Sequence, residues 1–214
     1  MATVYSIHPE TPQERILETV AQDLKKGAIL LYPTDTVYAI GCDLSVKSAV
    51  ERVRSLKRLS NEKPLTFLCS SLSNIAAYAL VSDEAYRLMK RLIPGTYTFL
   101  LPATKAVPRL VMNPKRKTTG IRVPNHTLCQ SLLKTLGNPI ISTSAYLRDD
   151  EGELSTLDYE KARLFDELDK LVDIILDDGS QDLQTEVSTI IDLTGKQPKI
   201  IREGLGIEEA ENWI

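Results

Sequence analysis

The sequence contains few of the residues with which enzymes most often bind metals or activate nucleophiles. It has 2 histidines and 3 cysteines in 214 residues. Neither an HExxH motif nor a CxxC pair is present, which argues against a metal site, a redox-active cysteine pair and a histidine-based catalytic triad. An odd number of cysteines in apolar surroundings is typical of buried thiols in a reducing compartment. We therefore expect a cytoplasmic protein.

The common phosphate-binding motifs are also absent. Neither GxxxxGK[ST] nor GxGxxG occurs, so the sequence supports neither a P-loop nor a Rossmann dinucleotide site. No apolar run approaches the ~20 residues of a membrane-spanning helix. The first residues lack the basic and apolar segments of a secretory signal, so no membrane partner is expected. Any phosphate chemistry must depend on lysines, arginines, hydroxyls and backbone amides.

The remaining composition is typical of a soluble domain with a large core, since 43% of the residues are hydrophobic and 26% are charged. The net charge of −3 is unevenly distributed. Residues 1–148 hold 20 Lys and Arg against 10 Asp and Glu, whereas residues 149–214 hold 6 against 19. A basic surface on the first two-thirds could attract phosphate or nucleic acid. Alternatively, the acidic part folds over the basic part and neutralises it.

The order of segments predicts alternating strands and helices. A short strand at Thr3 to Ile7 is followed by the capping-box pattern Thr11-Pro12-Gln13-Glu14, which predicts a helix start. That helix ends at Gly27, and a buried strand begins at Ile29. Further on, Asn125 is placed to cap another helix that ends at a glycine, Gly137.

This pattern predicts an α/β fold. Strands outnumber the clean βαβ units, so we expect a twisted, mixed parallel and antiparallel sheet flanked by helices, with a concave basic cavity. One domain is predicted over residues 1–214. Residues 150–214 are predicted to form an acidic C-terminal extension packed on it.

The stretch from Ile29 to Gly41 places a short polar turn between two apolar segments. Pro33 interrupts the first strand, and Thr34-Asp35-Thr36 then sets two hydroxyls beside a carboxylate. Flanking strands hold such a turn rigid, which favours a binding site. Alternatively, the threonines and the aspartate bond only to their own backbone.

Polar and charged side chains also stand at the ends of other strands. Arg122 and Arg202 interrupt apolar strands, where a charge is costly unless an anion or a carboxylate lies beside it. Ligands of α/β folds bind at strand ends, which favours a common site. Alternatively, each arginine closes an internal ion pair and each hydroxyl caps a turn. The other members of this set are Lys57, Lys63, Ser142, Thr143, Ser144, Ser188 and Thr189.

The residues Tyr32 to Gly41 resemble the signature of the YrdC/YciO family. Five later stretches fit that family in order and spacing, namely Leu56 to Leu65, Thr118 to Pro124, Ile140 to Leu147, Val187 to Thr194 and Ile200 to Gly204. Characterised members make threonylcarbamoyl-adenylate from L-threonine, bicarbonate and ATP, for the modification of an adenosine in tRNA. The resemblance covers nearly the whole chain and is closer to the YciO branch than to the synthases.

The resemblance implies a role for each matching position. The residues matching the threonine site are Thr36, Arg122, Ser142 and Ser188, with Arg122 binding the carboxylate. Those matching the site of ATP, expected with magnesium, are Lys57, Lys63, Thr118, Ser144 and Arg202. Lys57 and Arg202 would also neutralise charge during the reaction, and no protein metal ligand is implied.

The sequence departs from the synthases at three positions. Leu59 stands where the family's Lys-x-Arg motif has its arginine, and the basic residue Arg58 comes one place early. Tyr146 replaces the asparagine of the Ser-x-Asn motif, and Leu68 stands where synthases often have a histidine. These changes affect the nucleotide and threonine pockets together.

Two further interpretations therefore stay open beside the synthase. The resemblance also implies RNA binding, so the chain could be a non-catalytic module for tRNA or double-stranded RNA. Lys115, Arg116 and Lys117 would then contact the phosphates. The third interpretation is a structural protein with a vestigial pocket.

Overall fold

A computed structural model describes residues 1–59, 65–145, 161–180 and 183–214. The described strands are β1 (Thr3–Ser6), β2 (Leu30–Tyr32), β3 (Ala39–Asp43), β4 (Thr66–Leu68), β5 (Tyr97–Pro102), β6 (Thr118–Arg122), β7 (Ile140–Ser144), β8 (Ile174–Asp177), β9 (Thr189–Asp192) and β10 (Lys199–Arg202). The described helices are α1 (Glu14–Lys25), α2 (Lys47–Leu56), α3 (Leu72–Tyr78), α4 (Asp83–Leu92), α5 (Thr127–Leu136), α6 (Lys161–Leu168) and α7 (Ile207–Glu211).

All of these strands form a single ten-stranded sheet in the order β1-β8-β2-β3-β7-β4-β6-β5-β9-β10. The pairs β1–β8, β2–β8, β4–β6 and β5–β9 are parallel, whereas β2–β3, β3–β7, β4–β7, β5–β6 and β9–β10 are antiparallel. The predicted α/β domain with a mixed sheet flanked by helices is confirmed.

The acidic C-terminal region contributes to both ends of this sheet. Strand β8 lies between β1 and β2, and β9 and β10 follow β5 at the opposite edge. The predicted domain bounds and the division at residue 150 stay predictions, because residues 146–160 and 181–182 lie outside the described part.

The two predicted helix caps are not the ones that the chain uses. Helix α1 begins at Glu14, and its N-cap residue Gln13 makes no side-chain cap bond. The backbone N–H of Thr11 donates instead to Nδ1 of His8, at 3.1 Å. The prediction of a capping box was wrong because the imidazole of His8 binds the backbone before the helix begins.

Helix α5 is capped by His126 rather than by Asn125. Nδ1 of His126 accepts a hydrogen bond from the N–H of Cys129, at 3.5 Å. Burial lowers the pKa of His126, and this favours the neutral ring, which can accept such a bond. The helix ends as predicted at Gly137, whose φ of 79° lies in the left-handed region that glycine adopts without strain.

The two faces of the sheet are covered unequally. On one face, α2, α3, α4 and α6 bury a continuous core against side chains such as Ile40, Phe67, Phe99, Ile121 and Ile191. On the other face, α1 and α5 bury a second core against Leu30, Tyr32, Leu68, Ile140 and Ile174. These two helices contact the side of the sheet near β8 and β2, and toward β9 the same face forms the floor of a cavity.

The three cysteines, Cys42, Cys69 and Cys129, are free and buried, which confirms the prediction of buried thiols. Burial raises the pKa of Cys42 and of Cys69 to about 12, so both stay protonated at neutral pH. Across the described ranges, no helix combines the length and the apolar character needed to cross a bilayer. The cytoplasmic location stays a prediction.

The first residue of α6 anchors that helix to the sheet. The ammonium of Lys161 donates to Oδ1 of Asp178 at 2.8 Å and to the carbonyl of Ser180 at 2.9 Å, and it also pairs with Asp177. The hydroxyl of Tyr38 donates to the same Asp178 oxygen at 3.0 Å. Burial favours the neutral form of Asp178, but hydrogen bonds from Lys161 and Ser180 outweigh it and lower the pKa from 3.8 to about 2.

This carboxylate should make stability depend on pH in the acid range. A pKa lower in the folded than in the unfolded chain stabilises the fold above pH ~4, and that contribution is lost as pH falls toward ~2. In urea unfolding near neutral pH, Asp178→Asn should be less stable than the parent by roughly 2 kcal/mol. The difference should shrink as pH falls. Asp166→Asn, on the exposed side of α6, is the control and should keep a constant difference from the parent.

Candidate functional site

The part of the sheet face that the described helices leave uncovered forms the floor of a cavity of ≈ 340 Å³. Side chains alternate between the two faces of a strand, so every second residue of neighbouring strands points into the cavity. The floor residues are Ser142 and Ser144 of β7, Thr66 and Leu68 of β4, Gly120 and Arg122 of β6, Thr98 and Leu100 of β5, and Ser188 and Ile190 around β9.

The described lining of the cavity is rich in hydroxyl groups and positively charged. Its charged residues are Arg122 and Arg202, and it includes no carboxylate. The described residues also contain no group of three or more His, Cys, Asp or Glu that could hold a metal ion. These side chains do not fit a magnesium ion held by the protein, because a protein binds Mg²⁺ mainly through one or two carboxylates. Magnesium would have to enter with the phosphates of a nucleotide.

A buried ion pair fixes Arg122 in this lining. Its Nη2 lies 2.6 Å from Oδ1 of Asp35, and its Nη1 donates to Oγ1 of Thr36 at 2.8 Å. The other carboxylate oxygen of Asp35 accepts from the N–H of Asn125 at 2.8 Å. The side chains of the pair are only 8% and 10% exposed, so the two charges compensate each other in a largely dry environment.

One donor of Arg122 remains without a partner. Its Nε is buried and forms no hydrogen bond within the described part of the chain. Leaving a buried donor unsatisfied costs ~1–3 kcal/mol. Because this atom is buried, a ligand in the cavity would meet the Nη groups of Arg122, whose guanidinium lines the cavity, rather than Nε.

The polar turn after β2 combines both roles that its sequence allows. Oγ1 of Thr34 accepts from the N–H of Thr36 at 3.0 Å and donates to the carbonyl of Val37 at 2.8 Å, which is local turn chemistry. Asp35 and Thr36 are turned toward Arg122 instead. Thr34 therefore shapes the turn, and the next two residues, Asp35 and Thr36, hold Arg122.

Within the described part of the chain, Arg202 is held by hydrogen bonds and not by an acid. Its Nε and Nη2 donate to the carbonyl of Ser188, at 3.1 and 2.7 Å, and Nη2 also donates to the Ser188 hydroxyl at 3.0 Å. That hydroxyl lies 2.9 Å from Oγ1 of Thr98. Among the described residues, no carboxylate forms a salt bridge with Arg202. Burial and the positive charge of Arg122 lower the pKa of Arg202, so an anion between them is favoured.

Strand β10 reaches the cavity through a β-bulge. Ile200 is opposite Ile191 and Arg202 is opposite Ile190, so Ile201 is an extra residue in the strand. Ile200 packs against the core, whereas both Ile201 and Arg202 line the cavity. Two consecutive side chains therefore point to the same face.

The end of α2 decides which side chain enters the cavity there. Arg58 adopts a φ of 47° just after the cap residue Lys57. The backbone N–H of Arg58 donates to the carbonyl of Ser55, and the N–H of Leu59 donates to the carbonyl of Arg54, both at 3.0 Å. This pair of bonds is a Schellman motif, which fixes the direction of the chain after a helix. As a result Arg58 is exposed and Leu59 lines the cavity.

The cavity brings together six of the predicted site residues, which come from distant parts of the chain: Thr36, Arg122, Ser142, Ser144, Ser188 and Arg202. Lys57 is half-buried at the end of α2, and Thr118 is buried in β6, but neither belongs to the described lining. Lys63 and Tyr146 lie outside the described residues. The ligand roles of all these residues stay predictions.

Sequence reasoning missed the contribution of β5. Thr98 and Leu100 both line the cavity, and Thr98 positions the hydroxyl of Ser188. Thr98 and Leu100 are two positions apart in a segment that reads as a strand, so the sequence alone would have placed both on one face. It could not show that β5 lies between β6 and β9, because strand order depends on the whole fold.

Comparisons with known proteins match both the sequence and the fold. A model of the Sua5/YciO/YrdC family, described as "Telomere recombination", matches residues 22–204. The chain is 40% identical over 206 residues to the uncharacterized protein YciO of Escherichia coli K12, covering 96% of this chain and 97% of that protein. The crystal structure of E. coli YciO matches with a TM-score of 0.84 and 38% identity.

Two similar proteins have a named activity or ligand. Threonylcarbamoyl-AMP synthase of Vibrio vulnificus YJ016 is 32% identical over 134 residues, which are 61% of this chain and 72% of the synthase. The crystal structure of Pyrococcus abyssi Sua5 complexed with L-threonine matches with a TM-score of 0.87 and 27% identity. That match covers 100% of this chain and 61% of the Sua5 chain.

The buried pair of Asp35 and Arg122 should show strong energetic coupling. Asp35→Ala leaves a guanidinium buried without its counter-charge, which should lower the free energy of unfolding by about 3 kcal/mol. In an Arg122→Met background the same change should cost much less. Urea unfolding of the four proteins should give a coupling energy above ~1.5 kcal/mol.

The exposed pair of Asp23 and Lys26, 3.0 Å apart, provides the control for this cycle. The corresponding cycle with Asp23→Ala and Lys26→Met should give a coupling below ~1 kcal/mol, as is usual for surface pairs. Additive costs for Asp35 and Arg122 would show that the ion pair does not hold the arginine in place.

Proposed function

The chain belongs to the Sua5/YciO/YrdC family, and on that premise we propose that it makes threonylcarbamoyl-AMP and pyrophosphate from L-threonine, bicarbonate and ATP. The product would serve the threonylcarbamoyl modification of adenosine in tRNA. One observation carries the proposal: two guanidinium groups from distant parts of the chain line one cavity, and only one of them, Arg122, has a carboxylate partner among the described residues.

L-Threonine would bind at the Arg122 end of the cavity. Two of the five N–H donors of this guanidinium are used by Asp35 and Thr36, which fix its plane. The guanidinium lines the cavity, and its remaining Nη N–H groups suit the carboxylate of an amino acid. The nearby hydroxyl of Ser142 accepts from the Tyr32 hydroxyl at 2.9 Å and can itself donate to the ligand.

The nucleotide would bind with its phosphates toward Arg202. This guanidinium is held by Ser188 but keeps an uncompensated charge among the described residues, which suits a phosphate. The hydroxyl of Ser144, at the end of β7, points into the same cavity and provides a further donor. The proposed ATP contacts of Lys57, Lys63 and Thr118 rest on the family resemblance alone.

The reaction needs positioning more than acid–base catalysis. The amine of threonine attacks bicarbonate, water leaves, and a carbamate forms. A carbamate oxygen then attacks the α-phosphorus of ATP, and the bond to the pyrophosphate leaving group breaks. The described lining has neither histidine nor carboxylate, so its contribution would be to align the reactants and to stabilise the developing negative charge.

Pyrophosphate release tests this proposal. The purified protein with magnesium and ATP should release pyrophosphate only when both L-threonine and bicarbonate are present. Arg202→Met should lower this rate on the order of 100-fold, because a preorganised donor to the transition state is lost. Arg91→Met, which removes an exposed arginine stacked 4.1 Å from the Trp213 ring, should leave it unchanged. Release that does not depend on threonine would refute the proposal.

A second candidate function, RNA binding, is favoured by one exposed turn. Lys115, Arg116 and Lys117 are all exposed there. The side-chain carbonyl of Asn113 accepts from the N–H groups of Lys115 and Arg116, at 3.0 and 2.8 Å, and fixes the turn. A fixed turn that presents three cationic side chains suits the phosphates of tRNA or double-stranded RNA.

Salt dependence tests the RNA interpretation. Replacing Lys115, Arg116 and Lys117 together by Ala should weaken RNA binding. The plot of log K against log salt concentration should also become less steep by roughly 2, since each phosphate contact contributes up to ~0.9 to the steepness. The control removes the same charge elsewhere, by replacing the exposed Lys25, Lys26 and Lys47 with Ala. Equal losses in both variants would show that only the net charge matters.

A further inference from the structure

The aliphatic side chain beside Arg202 is half-exposed in the described structure. Ile201 is 51% exposed, although it lines the cavity. Single exposed aliphatic residues are ordinary on protein surfaces. Ile201 differs because Val187, Ile190 and Leu100 line the same cavity. The wall that holds the Arg202 charge is thus also an apolar wall.

The β-bulge is what adds this side chain to the wall. A regular strand would place one residue opposite Ile190, and Arg202 occupies that place. The extra residue disrupts the ladder locally, yet Ile201 gains no place in the buried core, unlike its neighbour Ile200. The bulge therefore contributes a cavity-facing side chain without contributing to the core.

The segment after the bulge is held firmly against β9. The N–H of Leu205 bonds to the carbonyl of Val187 at 2.9 Å, and the carbonyl of Leu205 accepts from the hydroxyls of Thr189 and Thr96, at 2.8 and 3.0 Å. A wall fixed on both sides of Ile201 loses little conformational freedom when a ligand packs on it.

We infer that Ile201 is a specificity residue that packs against the base of a nucleotide whose phosphate lies at Arg202. The faces of a nucleobase are flat and apolar, so an aliphatic wall beside a guanidinium distinguishes a nucleoside phosphate from an inorganic phosphate chain. The inference rests on the proposed function in taking a nucleotide as the ligand, but it concerns binding and not turnover.

The test compares nucleotides with inorganic tripolyphosphate. Deleting Ile201 removes the bulge and leaves Arg202 opposite Ile190, so the anion site should survive. By titration calorimetry, we expect ATP and AMP to bind about 10-fold more weakly to the deletion variant and about 5-fold more weakly to Ile201→Ala. Tripolyphosphate should bind to both variants within about 2-fold of the parent. Val4→Ala, which shortens a half-exposed residue on the opposite edge strand, should change nothing.

Ile201→Ala keeps the length of the chain, so it decides the matter if the deletion variant does not fold. Unchanged ATP and AMP binding in that variant overturns the inference, as does an equal loss for tripolyphosphate. A parent protein that binds ATP no more tightly than tripolyphosphate overturns it as well. If Ile201→Ala selectively loses nucleotide binding while the parent protein releases no pyrophosphate, the role of Ile201 is supported and the synthase is refuted. If Ile201→Ala binds nucleotides as the parent does, and the parent releases pyrophosphate only with threonine, then the role of Ile201 is refuted but the proposed synthase is not.

Discussion

The ion pair between Asp35 and Arg122 determines the form of the cavity. These residues are 87 positions apart. Asp35 follows β2 and Arg122 ends β6, and these two strands are separated in the sheet by β3, β7 and β4. The pair therefore connects the turn after β2 to the end of β6 across the ends of three intervening strands. A buried pair is a poor source of net stability, but it fixes the direction of a charged group. In this fold it holds the guanidinium of Arg122 in the lining of the cavity.

The chemistry of the cavity follows from the unequal covering of the sheet. Helices α1 and α5 pack over the strands near β8, and the same face toward β9 forms the floor, where small hydroxyl side chains and Gly120 alternate with arginine. At Gly120, a Cβ atom would lie 2.8 Å from Oγ1 of Thr66, so a larger residue would crowd the floor. Such a surface can bind anions and orient them. The proposed reaction would depend mainly on this alignment and charge.

The sequence allowed the α/β class and much of the floor to be predicted because both depend on local patterns. Arginines inside apolar strands and hydroxyls at strand ends are visible without a structure, and six such residues do meet in the cavity. The capping box at Thr11 failed because a nearby imidazole offered the backbone a competing partner. The roles of Ile201 and Thr98 could not be predicted. The first depends on a bulge and the second on the order of strands, and neither is encoded by periodicity alone.

The arrangement of the two arginines also has a consequence for local opening of the structure. Arg122 belongs to β6 in the interior of the sheet, whereas Arg202 belongs to β10, which among the described strands is hydrogen-bonded only to β9. Amide groups of an edge strand generally open at a lower free energy than those of interior strands. A ligand that contacts both guanidinium groups would connect the edge strand β10 to the interior of the sheet. Binding in the cavity would therefore slow the hydrogen exchange of the backbone amides of β10.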